Sequence, residues 1–150
     1  TDEAHKVAFT ALDTWNRECR ASHNSFEHFI VSSGRGAGWH NFSGLSSPLV
    51  NWFYSYFRIG HAATGFDAAL SRARFSDDCT HYITEVDFEP AAAGRNVALL
   101  LCLTPGPDYE ARLDGKAVKT RSPYPGLLYV SLPATARTAR LEVKPCKTND

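Results

Sequence analysis

The sequence contains no methionine among its 150 residues. Because translation starts at methionine, we expect the chain to be a processed or excised product. Its longest strongly apolar stretch, residues 49–59, is interrupted by Asn51 and Ser55. That stretch is well below the roughly 20 residues that a bilayer-spanning helix needs. The sequence therefore predicts no membrane segment and no signal peptide.

An excess of either charge is also missing. Lys and Arg together number 16, as do Asp and Glu, and the formal net charge is +0. Proteins that bind nucleic acid usually present a basic surface to the phosphates. We therefore expect no nucleic-acid partner. The hydrophobic content of 43% is enough for a folded core at this length.

The cysteines lack the spacing of a metal site. None of the four forms a CxxC pair, and no paired histidines follow at zinc-finger distance. We therefore predict no metal. An even number of cysteines fits disulfide bonds in a secreted or otherwise extracytoplasmic protein, and buried free thiols are the alternative. The four residues are Cys19, Cys79, Cys102 and Cys146.

Two helices are predicted in the first 60 residues. Apolar residues recur at helical spacing from Ala4 to Cys19, which predicts a helix over residues 3 to about 21. A second helix begins with Ser47 as its N-cap and Pro48 at its first position, and Gly60 can close its end. This helix is apolar on nearly every side and must be surrounded. We expect a companion N-terminal chain or fragment to supply the missing helices.

After about residue 66 the hydrophobic residues recur at every second position, as in β-strands, and no longer at helical spacing. The stretch "THYITEVDF" alternates, and Asp114-Gly115 between strand-like flanks predicts a two-residue hairpin turn. Several short strands separated by Pro and Gly turns are typical of an antiparallel sandwich. We predict an α+β protein with helices in residues 1–62 packed on a β-sandwich in residues 63–150.

A single acid, Glu27, stands in the long connection between the predicted helices, residues 22–46. Glycines there let the backbone approach a ligand, aromatic rings suit sugar faces, and polar side chains suit hydroxyl groups. Inverting glycosidases use two carboxyl groups about 6.5–9.5 Å apart, and Glu27 could be one of them. The glycines lack the context of a phosphate-binding loop, so no cofactor is expected. The candidate binding residues are Phe26, His28, Arg35, Trp39 and His40.

The segment "FEHFIVSSGRGAGWHNFSGLSSPLVNW" resembles the last catalytic loop and last inner helix of the (α/α)6-barrel glycoside hydrolases, the group of mannosylglycerate hydrolases and processing α-glucosidases. The resemblance implies that Glu27 is the general base that activates water and that Trp39 and His40 shape the sugar site. It also implies that the general acid comes from sequence outside this chain. A β-sandwich after the barrel occurs in relatives of this group.

Other interpretations of these residues stay open. Glu27 could be a structural carboxylate paired with Arg35 or a histidine, or a solvated loop acid. The chain could also be a carbohydrate-binding or scaffolding module without catalysis. A polysaccharide lyase on a helical toroid is a third alternative, which would need a Tyr or His base and a residue that neutralises the charge of a uronate, and His28 and His40 keep it open.

Overall fold

The protein is an α+β chain with two helices and antiparallel sheets. The computed structural model describes residues 2–42, 44 and 46–146, so parts of the predicted regions 1–62 and 63–150 lie outside the described residues. Two compact units are present, Thr1–Tyr56 and Phe57–Asp150. We call them the helical unit and the strand unit.

The two predicted helices are confirmed. Helix α1 spans Asp2–Ser22, and Asp2 and Glu3 lie in its first turn, where negative charge stabilises a helix N-terminus. Helix α2 spans Ser46–Tyr56, with Pro48 in its first turn, where a missing N–H is tolerated. Within the described residues, neither helix combines the length and the hydropathy that crossing a membrane requires.

The predicted end of the second helix at Gly60 is wrong. Helix α2 stops at Tyr56, and Gly60 lies in the turn that follows, with a φ of 79°. Its backbone N–H donates to the carbonyl oxygen of Cys102 at 2.8 Å. Gly60 therefore serves to start the next strand, not to close the helix.

The strands follow in chain order. The helical unit contains β1 Phe26–Phe29 and β2 Gly36–His40. The strand unit contains β3 His61–Thr64, β4 Ala68–Phe75, β5 Tyr82–Phe88, β6 Asn96–Cys102, β7 Tyr109–Leu113, β8 Lys116–Ala117, β9 Lys119–Tyr124, β10 Leu127–Pro133 and β11 Thr138–Pro145. A short 3-10 helix, Pro90–Ala92, precedes β6.

The strand unit has two antiparallel sheets, an arrangement compatible with the predicted sandwich. One sheet has the order β3-β6-β10-β9 and the other the order β4-β5-β11-β7-β8. Inward side chains from both sheets form one hydrophobic cluster, as expected for two sheets packed face to face. In β5 every second residue from Tyr82 to Phe88 is buried, which confirms the alternation predicted for this stretch.

The predicted hairpin turn at Asp114-Gly115 is confirmed. It joins β7 to β8, and both residues have positive φ, 48° for Asp114 and 78° for Gly115. Positive φ at both central positions is the geometry that matches the twist of antiparallel strands. The carboxylate of Asp114 also accepts the backbone N–H of Arg140 at 2.8 Å, which ties the turn to β11.

We expect the Leu141→Ala variant to lose about 2–5 kcal/mol of stability, because it leaves a cavity between the two sheets. Leu141 is 0% exposed and belongs to the shared hydrophobic cluster. Urea denaturation followed by circular dichroism measures the change. The Phe66→Ala control removes a larger side chain that is fully exposed, and it should change stability little. Equal losses in the two variants would contradict this assignment of the core.

Candidate functional site

The connection predicted as a loop contains a β-hairpin, β1–β2. Antiparallel pairing joins Phe26 to His40 and Phe29 to Gly36, and the register shifts between Phe26 and His28. The tip closes where the N–H of Gly34, at a φ of 66°, donates to the carbonyl oxygen of Ile30 at 2.8 Å. Glu27 therefore stands on a paired strand, which fixes its backbone better than a free loop would.

Two glycines of β2 make room for side chains of β1. A Cβ atom built on Gly36 would lie 2.1 Å from the ring of Phe26, which is buried. A Cβ atom on Gly38 would lie 2.6 Å from Oε2 of Glu27 and 2.9 Å from its Cβ. Such distances are far below van der Waals contact, so both positions require glycine. Because Gly36 and Gly38 have no side chains, the side chains of Phe26 and Glu27 can lie against the backbone of β2.

The carboxylate of Glu27 lies on the surface of this hairpin. Its side chain is 46% exposed, and Nδ1 of His28 lies 3.9 Å from Oε2. That separation is longer than a hydrogen bond. Within the described part of the chain, Glu27 forms an ion pair with neither lysine nor arginine. Apart from the 3.9 Å contact with His28, the carboxylate is therefore accessible to solvent.

Aromatic side chains are present on both strands of the hairpin. The indole of Trp39 is 73% exposed and meets the ring of Phe42 edge-on at 6.3 Å between centroids. The imidazole of His40 lies 5.1 Å from the ring of Phe26. Trp39, His28 and His40 are thus exposed side chains of the hairpin, whereas Phe26 is buried.

Arg35 lies at the start of the second strand and turns toward helix α1. Its Nε donates to Oε2 of Glu18 at 2.8 Å, and its Nη2 lies 3.4 Å from Oε1. The alternative that Arg35 neutralises Glu27 is therefore not the arrangement in the structure. Arg35 connects the hairpin to the helix.

Glu18 is a site residue that the sequence interpretation missed. It is only 3% exposed, although an ionised carboxylate is costly to bury without partners. The hydrogen bond from Arg35 lowers the pKa of Glu18, burial opposes that shift, and the N–H of Gly36 adds a further bond. A signal was available, because Glu18 continues the apolar stripe of Ala8, Ala11 and Trp15 at helical spacing.

An apolar groove of about 430 Å³ lies between α1, α2 and the side chain of Phe29. Val7, Leu49 and Trp52 contribute to its walls. Glu27 is not among its lining residues. This groove therefore does not contain Glu27. A sugar-binding cleft around Glu27 would need other residues to form its walls.

The four cysteines, all of which lie among the described residues, form no disulfide bond in the structure. Cys102 is buried, and burial raises the pKa of its thiol to about 12, so it is protonated at neutral pH. Among the described residues, the acidic, histidine and cysteine side chains form no cluster suited to a metal ion.

No protein-family model matches this chain, and no curated protein matches its sequence significantly. The functional assignment therefore depends on the residues of the hairpin themselves.

We expect the Gly38→Ala variant to loosen the hairpin, because the added methyl group collides with Glu27 and φ at this position is 83°. Amide hydrogen exchange should quicken about ten-fold at Ile30, whose N–H donates to the carbonyl oxygen of Arg35, given a cost of about 1–2 kcal/mol for a left-handed alanine. The Gly65→Ala control meets no atom within 4 Å. Unchanged exchange in Gly38→Ala would refute the role of this glycine.

We expect the Glu18→Gln variant to be less stable than the wild type at neutral pH. The folded pKa of Glu18 is lowered, so its stabilising effect is complete above its unfolded pKa and is lost as pH falls through the lower folded value. The difference in unfolding free energy between the two proteins should therefore shrink between about pH 7 and pH 3. Denaturant unfolding across this range measures it.

The Asp13→Asn variant is the matched control for Glu18→Gln. Asp13 pairs with Arg17 at 3.1 Å on the exposed side of the same helix. Exposed pairs contribute little to stability, so this variant should resemble the wild type at every pH. A Glu18→Gln difference that stays constant with pH would contradict the ion-pair assignment.

Proposed function

We propose that this chain is part of an inverting glycoside hydrolase in which Glu27 is the general base. The observation that carries the proposal is the placement of the Glu27 carboxylate: half exposed, paired with neither lysine nor arginine among the described residues, and seated over Gly38. A general base needs an accessible carboxylate that can contact a water. The exposed indole of Trp39 supplies a flat face of the kind that sugar rings stack on.

In this mechanism Glu27 takes a proton from a water molecule as the water oxygen attacks the anomeric carbon. The glycosidic bond breaks on the opposite side of the sugar, and a second carboxylic acid protonates the leaving oxygen. The two carboxyl groups stand about 6.5–9.5 Å apart to leave room for the water. The exposed imidazoles of His28 and His40 can hydrogen-bond to sugar hydroxyl groups.

The proposal assigns the second acid to a companion polypeptide that completes an (α/α)6 barrel around α1 and α2. Support comes from the exposed apolar side chains of the two helices: Val7 and Phe9 on α1, and Val50 and Phe53 on α2, are each 46% to 56% exposed. The apolar groove between the helices adds to this surface. Additional helices packed there would bury it.

We expect the Glu27→Gln variant of the assembled protein to lose about 10²–10⁴-fold in kcat, because the amide cannot accept the proton of water. Sugar binding should remain measurable, because glutamine has nearly the same shape. Hydrolysis of an aryl glycoside that the wild-type protein cleaves provides the rate, and calorimetry provides the affinity. Asp13→Asn, another exposed acid of the helical unit, serves as the control.

A kcat of the Glu27→Gln variant equal to that of the wild-type protein would rule out this role for Glu27. Glycan binding without hydrolysis in every assembled form would favour a carbohydrate-binding module instead. An unsaturated product that absorbs in the ultraviolet would indicate a lyase.

A further inference from the structure

A second site candidate lies in the strand unit, on the outer face of the five-stranded sheet. A groove of about 380 Å³ runs over β4, β5 and β11 there. Its charged lining consists of three arginines and one glutamate, which leaves an excess of two positive charges in a chain whose net charge is zero. The lining residues are Arg72, Arg74, Ile83, Thr84, Glu85 and Arg140.

The single carboxylate of the groove is already paired. Oε1 of Glu85 lies 2.8 Å from Nη1 of Arg72. Arg72 has a φ of 52° and sits where the register of β4 against β5 shifts. A bulge of this kind redirects a side chain, and such bulges are frequent beside binding sites. The bulge thus brings Arg72 to Glu85, and Oε1 of Glu85 contacts Arg72.

The guanidinium groups of Arg74 and Arg140 are unpaired among the residues that the structure describes. The bonds between Arg140 and Asp114 involve only the backbone of Arg140: its N–H donates to the carboxylate of Asp114, and its carbonyl oxygen accepts the N–H of Asp114. The neighbouring carboxylates on this face have other partners. These pairs are Asp87 with Ser71 at 3.2 Å, Glu142 with His81 at 3.2 Å, and Glu110 with Lys144 at 3.7 Å.

The register places the two arginines on the same face of the sheet. Arg74 pairs with Ile83 across β4 and β5, and Arg140 pairs with Glu85 across β11 and β5. The two arginines are separated by two inter-strand spacings, from β4 over β5 to β11, and by two residues along the strand direction. Their Cα atoms are therefore roughly 12 Å apart. Two long side chains starting from those positions can approach one anion over the side chain of Ile83.

We propose that this groove binds a small molecule through a carboxylate or phosphate oxyanion held by Arg74 and Arg140. Guanidinium groups form paired, charge-assisted hydrogen bonds to both oxyanions, and the apolar side chain of Ile83 can contact the carbon skeleton. This site is separate from Glu27 and does not depend on the proposed hydrolase activity.

The test is a titration of the whole chain with glucuronate, inorganic phosphate and neutral glucose, followed by NMR of the backbone amides of residues 72–74, 83–85 and 140. We expect saturable shifts with at least one of the two anions and none with glucose. Preference for glucuronate identifies a carboxylate ligand, and preference for phosphate identifies a phosphate ligand.

Arg74→Gln and Arg140→Gln should each weaken anion binding at least about ten-fold, since each removes charge-assisted hydrogen bonds to the anion. Both side chains are exposed, so the fold should survive, which a thermal melt verifies. The control Arg20→Gln removes an equally exposed arginine from α1. Non-saturating shifts, equal binding of glucose, or an equal effect of Arg20→Gln would overturn the proposal.

Discussion

The ion pair between the buried carboxylate of Glu18 and the largely exposed side chain of Arg35 is the interaction on which the candidate site depends. It joins α1 to Arg35, the residue before β2, at 2.8 Å, and the N–H of Gly36 donates to the same carboxylate. Removing Arg35 would leave the buried carboxylate of Glu18 without its charged partner, which is unfavourable. The hairpin that presents Glu27 therefore has a fixed attachment to the helix, and the position of Glu27 follows from it.

The two glycines of β2 determine which side chains of β1 the hairpin can accommodate. Gly36 leaves room for the ring of Phe26, which is buried, and Gly38 leaves room for the side chain of Glu27, which is about half exposed. Glycine lowers the intrinsic stability of a strand, so two of them in a strand of five residues need a compensating role. Close cross-strand approach is that role here, and it explains why one acid stands among so many glycines.

The sequence predicts the elements whose signals are local and repeated. The alternation of β5, the Asp114-Gly115 turn and the periodicity of α1 are all visible in the chain and are present in the structure. The β1–β2 hairpin was missed because its glycines resemble a loop and its pairing depends on contacts across the turn. Glu18 was missed because a charged residue on an apolar stripe has a meaning only when its partner, 17 positions away, is known.

Chemical rescue of the Glu27→Ala variant by azide tests the role of Glu27 most directly. A glycosyl fluoride that the wild-type protein hydrolyses is the substrate, because fluoride leaves with little help from a general acid. We expect azide to occupy the space of the lost carboxylate, to restore turnover and to give a glycosyl azide of inverted configuration. Full turnover of this variant without azide, or no response to azide in a folded variant, would contradict the account.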